Sequence, residues 1–151
     1  DRPQDEIHLK REAMEHLSQL FLAATENGHK LFVYSGYRSY QKQEYLYYEV
    51  YQKNDDISAR PGFSEHQTGY AVDISTSAAG LSYHFEKTEA YRWLIENAHQ
   101  YGFILRYPKN KKDITGYEFE PWHFRYLGSY AEGLYLQDLS LEEYILLNYE
   151  I

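Results

Sequence analysis

The chain has 151 residues and carries 15 Lys and Arg against 23 Asp and Glu, which gives a formal net charge of −8. This length suits one domain, and a hydrophobic fraction of 43% is enough for a packed core, so wholesale disorder is excluded. The acidic balance argues against nucleic acid as the main partner, and no apolar stretch approaches the roughly 20 residues of a membrane span.

The first third of the chain predicts a helix, a strand and a second helix. Apolar residues recur at helical spacing over residues 3–27, where Asn-Gly can end a helix. The β-prone run 30–34 predicts a short strand. Ser39 can then cap a helix over residues 40–53. Three residues share one face of that helix: Tyr47, Val50 and Tyr51.

The middle third predicts two loops, a strand and a third helix. Residues 54–64 are polar and contain Pro-Gly, which indicates an exposed loop. Residues 70–74 alternate as a strand does, and the small polar residues 75–82 predict another loop. Thr88 can cap a helix that ends at Gly102. Four residues would form its buried stripe: Tyr91, Leu94, Ile95 and Ala98.

The last third predicts two strands and a helical tail. Residues 103–107 predict a strand, 109–113 a charged turn, and 117–126 a strand that is interrupted at a proline. The tail is helical from Ser129, with a capping box at 140–143. Because the strands are short and followed by turn signals, we expect one α+β domain over residues 1–151. Its small, largely antiparallel sheet would be flanked by helices.

The first candidate site lies at the strand 70–74. Alternation places Asp73 on a face that otherwise carries only small residues, which leaves room beside its carboxylate. Val72 and Ile74 would pack inward on the other face. His66 precedes this strand and could swing over the face that carries Asp73. The other histidines have ordinary surface settings: His8, His16, His29, His84 and His99.

The second candidate site is Glu120-Pro-Trp-His123. Glu120 and His123 would diverge in a regular strand, but a kink at Pro121 could bring both into one cavity. The chain has no cysteine, so its metal ligands are restricted to His and carboxylates. Two imidazoles and a carboxylate match catalytic zinc sites, and a further carboxylate could activate water. Spacing alone also allows Asp73 as a buried hydrogen-bond acceptor and His123 as a packing residue.

The order of these motifs is similar to that of a known family. Ser64-x-His66-x-x-Gly-x-Ala-x-Asp73 followed by Glu120-x-x-His123 resembles the signature of VanY-type zinc D-alanyl-D-alanine carboxypeptidases and their L,D-carboxypeptidase relatives. Ser35-Gly-Tyr-Arg38-Ser-Tyr with Gln43, and the stretches 96–108 and 114–128, resemble that family too. The resemblance covers about residues 31–128, with helical extensions on both sides.

The resemblance implies a zinc site at the sheet face and a catalytic base. One Zn²⁺ would be bound by three ligands: His66, Asp73 and His123. Glu120 would take the proton of the attacking water, and Arg38 would contact the substrate carbonyl or carboxylate. Gln43 and Ser64 would bind substrate.

Two further residues are candidates for substrate contact on chemical grounds. Recognition of a free terminal carboxylate favours an arginine fork, which makes Arg106 a candidate beside Arg38. Surface pairing is the better expectation for Arg60. Trp122 lies between the base and a ligand, where it could form a wall of the pocket or simply pack.

The implied activity is removal of terminal D-alanine from peptidoglycan stem peptides, with D,D- or L,D-specificity left open. A cell-wall endopeptidase of endolysin type and a non-catalytic zinc-binding domain are the alternatives. Stem peptides are finished outside the membrane, so we expect the cell surface of a Gram-positive bacterium. The chain opens at Asp1 without Met, which is compatible with removal of a signal or anchor.

Overall fold

A computed structural model describes residues 7–149. Helices and short strands alternate along it, as the sequence predicts. The principal elements in chain order are α1 (Arg11–Glu26), β1 (Phe32–Ser35), α2 (Tyr40–Tyr45), β2 (Ala71–Ser75), α3 (Glu89–Asn97), β3 (Phe103–Leu105), α4 (Lys112–Thr115), β4 (His123–Tyr126), α5 (Ala131–Leu136) and α6 (Leu141–Asn148). A π-helical turn (Leu46–Val50) follows α2, and 3-10 turns occupy Glu65–Thr68, Tyr83–Lys87, Ala98–Tyr101 and Gly128–Tyr130.

The four strands form one antiparallel sheet in the order β1-β2-β4-β3. This confirms the predicted α+β class with a small antiparallel sheet. Strand β2 lies in the middle and is buried along its whole length. Its partner β4 aligns so that Asp73 lies opposite His123. The two residues are cross-strand neighbours, which places their side chains on the same face of the sheet.

The core lies between the opposite face of the sheet and helices α1 and α3. Val72 and Ile74 from β2 and Phe124 from β4 are fully buried in it. Helix α1 contributes Leu17 and Leu20, and α3 contributes Leu94. Of the predicted stripe of α3, Leu94 and Ala98 are buried, while Tyr91 and Ile95 are partly buried and pack against the core. Burial of this apolar surface is the main favourable contribution to folding.

The first helix begins later than the sequence predicts. Residues 3–6 lie outside the described part of the chain, and residues 7–10 are not helical. The Lys10 amide donates to the carbonyl of Gly69 at 2.9 Å, and the Tyr37 amide donates to the carbonyl of His8 at 2.7 Å. These hydrogen bonds attach the segment to the residues just before β2 and α2. Pairing with distant residues therefore outweighs the helical spacing of the sequence here.

The second helix differs from its predicted regular course over residues 40–53. After α2 the chain forms the π-helical turn, in which the Tyr51 amide donates to the carbonyl of Leu46 at 2.8 Å. The extra residue rotates the side chains that follow relative to an α-helix. Of the three residues that were expected to share a face, Tyr47 is buried, whereas Val50 and Tyr51 are exposed.

The strands around Pro121 are shorter than predicted. The predicted strand 117–126 is extended only from His123 to Tyr126, and the predicted strand 103–107 is assigned only to Phe103–Leu105. Pro121 is fully buried and has no amide to donate, which accounts for the break. The predicted turn 109–113 leads into the short helix α4. Within residues 7–149, no helix is long and apolar enough to cross a membrane.

The helix caps follow the sequence predictions, and residues 54–64 form an irregular segment in which Ser58 is buried. Thr88 accepts a hydrogen bond from the Tyr91 amide at 3.0 Å, and Ser140 and Glu143 form a capping box at the start of α6. Gly102 takes the left-handed conformation that ends the 3-10 turn after α3. These features depend on neighbouring residues alone, which is why the sequence predicts them well.

Candidate metal centre and active site

Three buried side chains converge at the junction of β2 and β4. Asp73 and His123 come from the paired strands, and His66 comes from the 3-10 turn Glu65–Thr68 just before β2. His66 Nε2 lies 3.3 Å from Asp73 Oδ1, and His123 Nδ1 lies 3.5 Å from the same oxygen. One potential ligand atom from each residue lies within 4.8 Å of the other two. The tertiary structure thus brings together the three predicted ligands.

The local geometry of Gly69 positions His66 over the strand. Gly69 has φ of +79°, a left-handed conformation that ends the 3-10 turn and redirects the chain into β2. A Cβ atom at this position would also lie 3.1 Å from the Lys10 side chain. A larger residue would therefore be strained here, and the turn that carries His66 depends on glycine.

The outer nitrogens of both imidazoles are held by acceptors. His66 Nδ1 lies 2.8 Å from the carbonyl oxygen of Gly36, and His123 Nε2 lies 3.1 Å from Glu65 Oε2. An acceptor at the outer nitrogen keeps the proton there, so the nitrogen that faces Asp73 has a free lone pair. Metal-binding histidines in proteins are oriented in this way.

The charge and hydrogen bonding of Asp73 suit a cation. Its Oδ1 atom is buried and has no hydrogen-bond partner among residues 7–149, an arrangement that is costly unless a cation binds there. Burial works against ionisation, but His66, His123 and Arg38 outweigh it, and the pKa of Asp73 is lowered. Two imidazole nitrogens and one carboxylate oxygen are a donor set of catalytic zinc sites. The residues therefore fit Zn²⁺.

A second carboxylate lies beside the ligands. Glu120 Oε2 is 3.5 Å from His123 Nδ1, so the kink at Pro121 brings the two together as predicted. Burial raises the pKa of Glu120 to about 7, and the negative charge of Asp73 adds to this shift, while His66 and Arg38 oppose it. A carboxyl group with this pKa can both accept and return a proton near neutral pH.

A cavity of about 260 Å³ opens onto these groups. Its lining includes the three candidate ligands and Glu120, together with four of the predicted substrate contacts: Arg38, Gln43, Ser64 and Trp122. Trp122 thus forms part of the wall, and its ring centroid lies 5.5 Å from that of Tyr83. Residues that the sequence analysis did not predict for the site complete the lining, including Tyr51, Ile57, Ser58, Tyr107 and Tyr117.

Arg38 is held in the cavity by a hydrogen-bonded arrangement. Its terminal nitrogens donate to Gln43 Oε1 at 2.8 Å and to Ser35 Oγ at 3.1 Å. The amide nitrogen of Gln43 in turn donates to Ser58 Oγ at 3.0 Å and to the carbonyl of Ala59 at 2.6 Å. Burial lowers the pKa of Arg38, although Asp73 favours its charged form. Gln43 is therefore engaged in orienting Arg38.

Arg106 lies outside the lining of the cavity in which the sequence analysis expected it to contact substrate. Its guanidinium bridges two carboxylates, with Nε 2.6 Å from Glu65 and the terminal nitrogens on Glu142. It is buried and is not among the residues that line the cavity. Arg106 does bind carboxylates through its guanidinium, but they belong to Glu65 and Glu142 of the protein itself. Arg60 pairs with Asp55 on the surface, as expected.

Glu65 lies beside the candidate ligands, and the sequence analysis did not single it out. It contacts His123, Arg106 and Arg125, and although its burial opposes ionisation, these partners lower its pKa to about 2. Its position next to His66 was the only local signal. Its three partners are 41 to 60 residues away in the chain, so sequence spacing cannot reveal them.

Comparison with known proteins identifies the family of the chain. The family model described as VanY, D-alanyl-D-alanine carboxypeptidase, matches residues 6–129. The chain belongs to this family. A D-alanyl-D-alanine carboxypeptidase of Enterococcus faecalis is 43% identical over 145 residues, which cover 86% of this chain and 53% of that protein. The chain spans about half the length of three of the curated relatives that it matches, this one among them.

Two solved structures of relatives differ in the specificity for which the relatives are named. The structure of the LdcB LD-carboxypeptidase, which addresses peptidoglycan recognition, is similar to this chain with a TM-score of 0.88 and 42% identity. The match covers 99% of this chain and 75% of the LdcB chain. The vancomycin-resistance D,D-pentapeptidase VanY in complex with Zn(II) has a TM-score of 0.79 and 36% identity, covering 96% and 88%. The VanY family fold therefore occurs with both D,D- and L,D-activities.

Proposed function

We propose that this VanY family chain is a zinc-dependent carboxypeptidase that removes terminal D-alanine from peptidoglycan stem peptides. The observation that carries the proposal is the orphaned Asp73 Oδ1, which faces two oriented imidazoles and has Glu120 and Arg38 on the same cavity. The names of the family and of its relatives support the substrate class.

Glu120 acts as the proton carrier in the proposed reaction. A zinc ion held by His66, Asp73 and His123 would polarise the scissile carbonyl and lower the pKa of water. Glu120 accepts the proton of the attacking water and then donates it to the leaving amine. The protein's own burial and charges raise its pKa to about 7, which favours return of the proton.

Arg38 provides the positive charge for the substrate. Its guanidinium fork can bind a terminal carboxylate or the oxyanion that develops at the scissile carbonyl. Gln43 and Ser35 fix its orientation, so the charge is placed before substrate arrives. Recognition of a free carboxylate favours a carboxypeptidase over an endopeptidase.

The proposed site of action follows from the substrate. Stem peptides are completed outside the membrane, so we place the activity at the bacterial cell wall. The Gram-positive cell surface remains the expected location.

The test is release of D-alanine from matched tetrapeptide and pentapeptide stems, with added zinc or with a chelator. We expect zinc-dependent release by the wild type and a fall of about 10²- to 10⁴-fold in kcat for Glu120→Gln, the usual contribution of general acid–base catalysis. The matched control is Glu118→Gln, because Glu118 is half-exposed and pairs with Lys112 outside the cavity lining. This control should keep wild-type activity.

The pattern of release decides the specificity. Release from the pentapeptide alone would assign D,D-activity, and release from the tetrapeptide alone would assign L,D-activity. Peptide fragments from intact sacculi without free D-alanine would favour an endopeptidase. Zinc binding without hydrolysis of any stem peptide would favour a non-catalytic zinc-binding domain.

A further inference from the structure

A line of alternating charges connects the candidate ligand His123 with the C-terminal helix α6. His123 Nε2 lies 3.1 Å from Glu65 Oε2, and Glu65 Oε1 accepts from Arg106 Nε at 2.6 Å. The terminal nitrogens of Arg106 bind both oxygens of Glu142, at 2.9 and 2.5 Å. Glu142 lies in the first turn of α6, beyond the residues 6–129 that match the family model. We call these four residues the ionic chain.

The ionic chain is largely shielded from solvent. The side chains of His123, Glu65 and Arg106 are 7%, 12% and 10% exposed. Glu142 is the outermost member, with 28% exposed. Charged hydrogen bonds are stronger in such surroundings than in water, and a missing partner is correspondingly more costly. Loss of the carboxylate of Glu142 should therefore alter the hydrogen bonds of Arg106 and Glu65.

The charge balance of the ionic chain depends on Glu142. Glu65 Oε1 also accepts from Arg125 at 3.1 Å, so two guanidinium groups face this one carboxylate. Glu142 neutralises Arg106 and thereby reduces the demand on Glu65. Without Glu142, two arginines would compete for the carboxylate that accepts from His123. The surroundings of the metal ligands would also gain a net positive charge, which disfavours a cation.

We propose that Glu142 is a positioning residue for the metal centre: by binding Arg106 it keeps Glu65 available to accept from His123 Nε2, so that His123 Nδ1 faces the metal. The inference rests on the proposed zinc-dependent function. It makes helix α6 part of the metal site, because docking of this helix completes the support of one ligand. Outer partners of this kind orient metal-binding histidines and raise their affinity for the metal.

A second ion pair on the same helix separates positioning from simple docking. Lys111 Nζ lies 2.7 Å from Glu143 Oε2, and the two side chains are 19% and 25% exposed. This pair also ties α6 to the segment before α4, but it does not continue to a candidate ligand. Lys111→Met therefore removes an ionic contact of α6 and leaves the ionic chain intact.

The experiment measures zinc affinity in the full chain by competition with a chelating dye, without substrate. For Glu142→Gln we expect the zinc Kd to rise about 3- to 10-fold, less than the 10- to 100-fold typical of a direct partner of a ligand. Glu142→Asp keeps the charge and should recover part of the affinity. Lys111→Met should keep the wild-type Kd, even where its melting temperature without zinc falls as far as that of Glu142→Gln.

Kinetics provide a readout that helix docking alone would not change. At limiting zinc, kcat of Glu142→Gln should fall with KM unchanged, because Glu142 does not line the substrate cavity. Excess zinc should restore kcat. Equal losses of affinity in Glu142→Gln and Lys111→Met would overturn the inference, as would a wild-type Kd in Glu142→Gln. A wild type that binds zinc but releases no D-alanine would defeat the proposed function alone.

Discussion

The floor and the facing wall of the cavity are built in different ways. The floor consists of β2 and β4, where strand register places Asp73 opposite His123 in buried surroundings. The facing wall comes from residues 40–64, which comprise α2, the π-helical turn and a polar loop. Most of the large side chains of this segment are exposed, Ile57 at 57% among them. A buried sheet suits fixed ligand geometry, and a solvent-exposed wall suits variation in substrate choice.

Gln43 links the wall to Arg38. It belongs to α2 in the wall, but its side chain is 1% exposed and bonds to Arg38, to Ser58 and to the backbone of the loop. Gln43 is therefore a buried polar anchor of the wall. Substitutions on the floor, at this anchor and on the outer wall should have decreasing effects.

The largest effect is expected from Asp73→Ala on the floor. This change removes a candidate ligand, so zinc affinity should fall by more than about 100-fold, beyond the range for outer partners of ligands. Activity should fall to background. Zinc titration and D-alanine release would measure both.

The matched control is Asp55→Ala, which removes a carboxylate from the outer wall that does not line the cavity. It should bind zinc as the wild type does. Unchanged zinc affinity in Asp73→Ala would place the metal site elsewhere.

An intermediate effect is expected from Gln43→Ala at the anchor. The change leaves a terminal nitrogen of the half-buried Arg38 without its acceptor, a loss that costs about 1–3 kcal/mol. We expect about a tenfold fall in kcat/KM, with unchanged zinc affinity. Steady-state kinetics with the preferred stem peptide would measure it.

The control for this change is Gln41→Ala, because Gln41 is exposed on the same helix. It should leave kcat/KM at the wild-type value. An equal loss in both variants would indicate that α2 itself had been disturbed, and an equal retention would remove Gln43 from the orientation of Arg38.

The smallest effect is expected from Arg60→Ala on the outer wall. Arg60 and Asp55 form an ion pair whose side chains are 65% and 54% exposed, and such pairs contribute little because water and salt screen them. The melting temperature should hardly change. The comparison is Leu94→Ala in the core, for which a cost of about 2–5 kcal/mol is typical. Similar melting temperatures for both variants would contradict the expectation that the exposed ion pair of the wall contributes much less to stability than the core does.

The sequence predicted the candidate ligands better than it predicted the support around them. His66 and Asp73 lie within one short motif, so local turn and strand geometry brings them together. Glu120 and His123 are three residues apart, and a proline between them was a sufficient signal for the kink. The position of Arg106 was not predictable in the same way, because its partners Glu65 and Glu142 are 41 and 36 residues away.

The course of residues 40–53 shows the same limit. A capping serine and a helical pattern correctly predicted the start of α2, because these depend on adjacent residues. The π-helical turn that follows changes which side chains are buried, and Tyr47 is held by a hydrogen bond to Asp55 in the loop. Helical periodicity carries no information about such a partner.

The sequence by itself determined the α+β class, the strand face that carries Asp73, and the chemical types of the candidate ligands and base. These follow from alternation, from short motifs and from the lack of cysteine. Only the tertiary structure decided that Asp73 lies opposite His123, that Arg106 binds Glu65, and that Glu142 in α6 binds Arg106. The physical reason is that strand register and buried ion pairs depend on the packing of whole faces, which brings together residues that are distant in the chain.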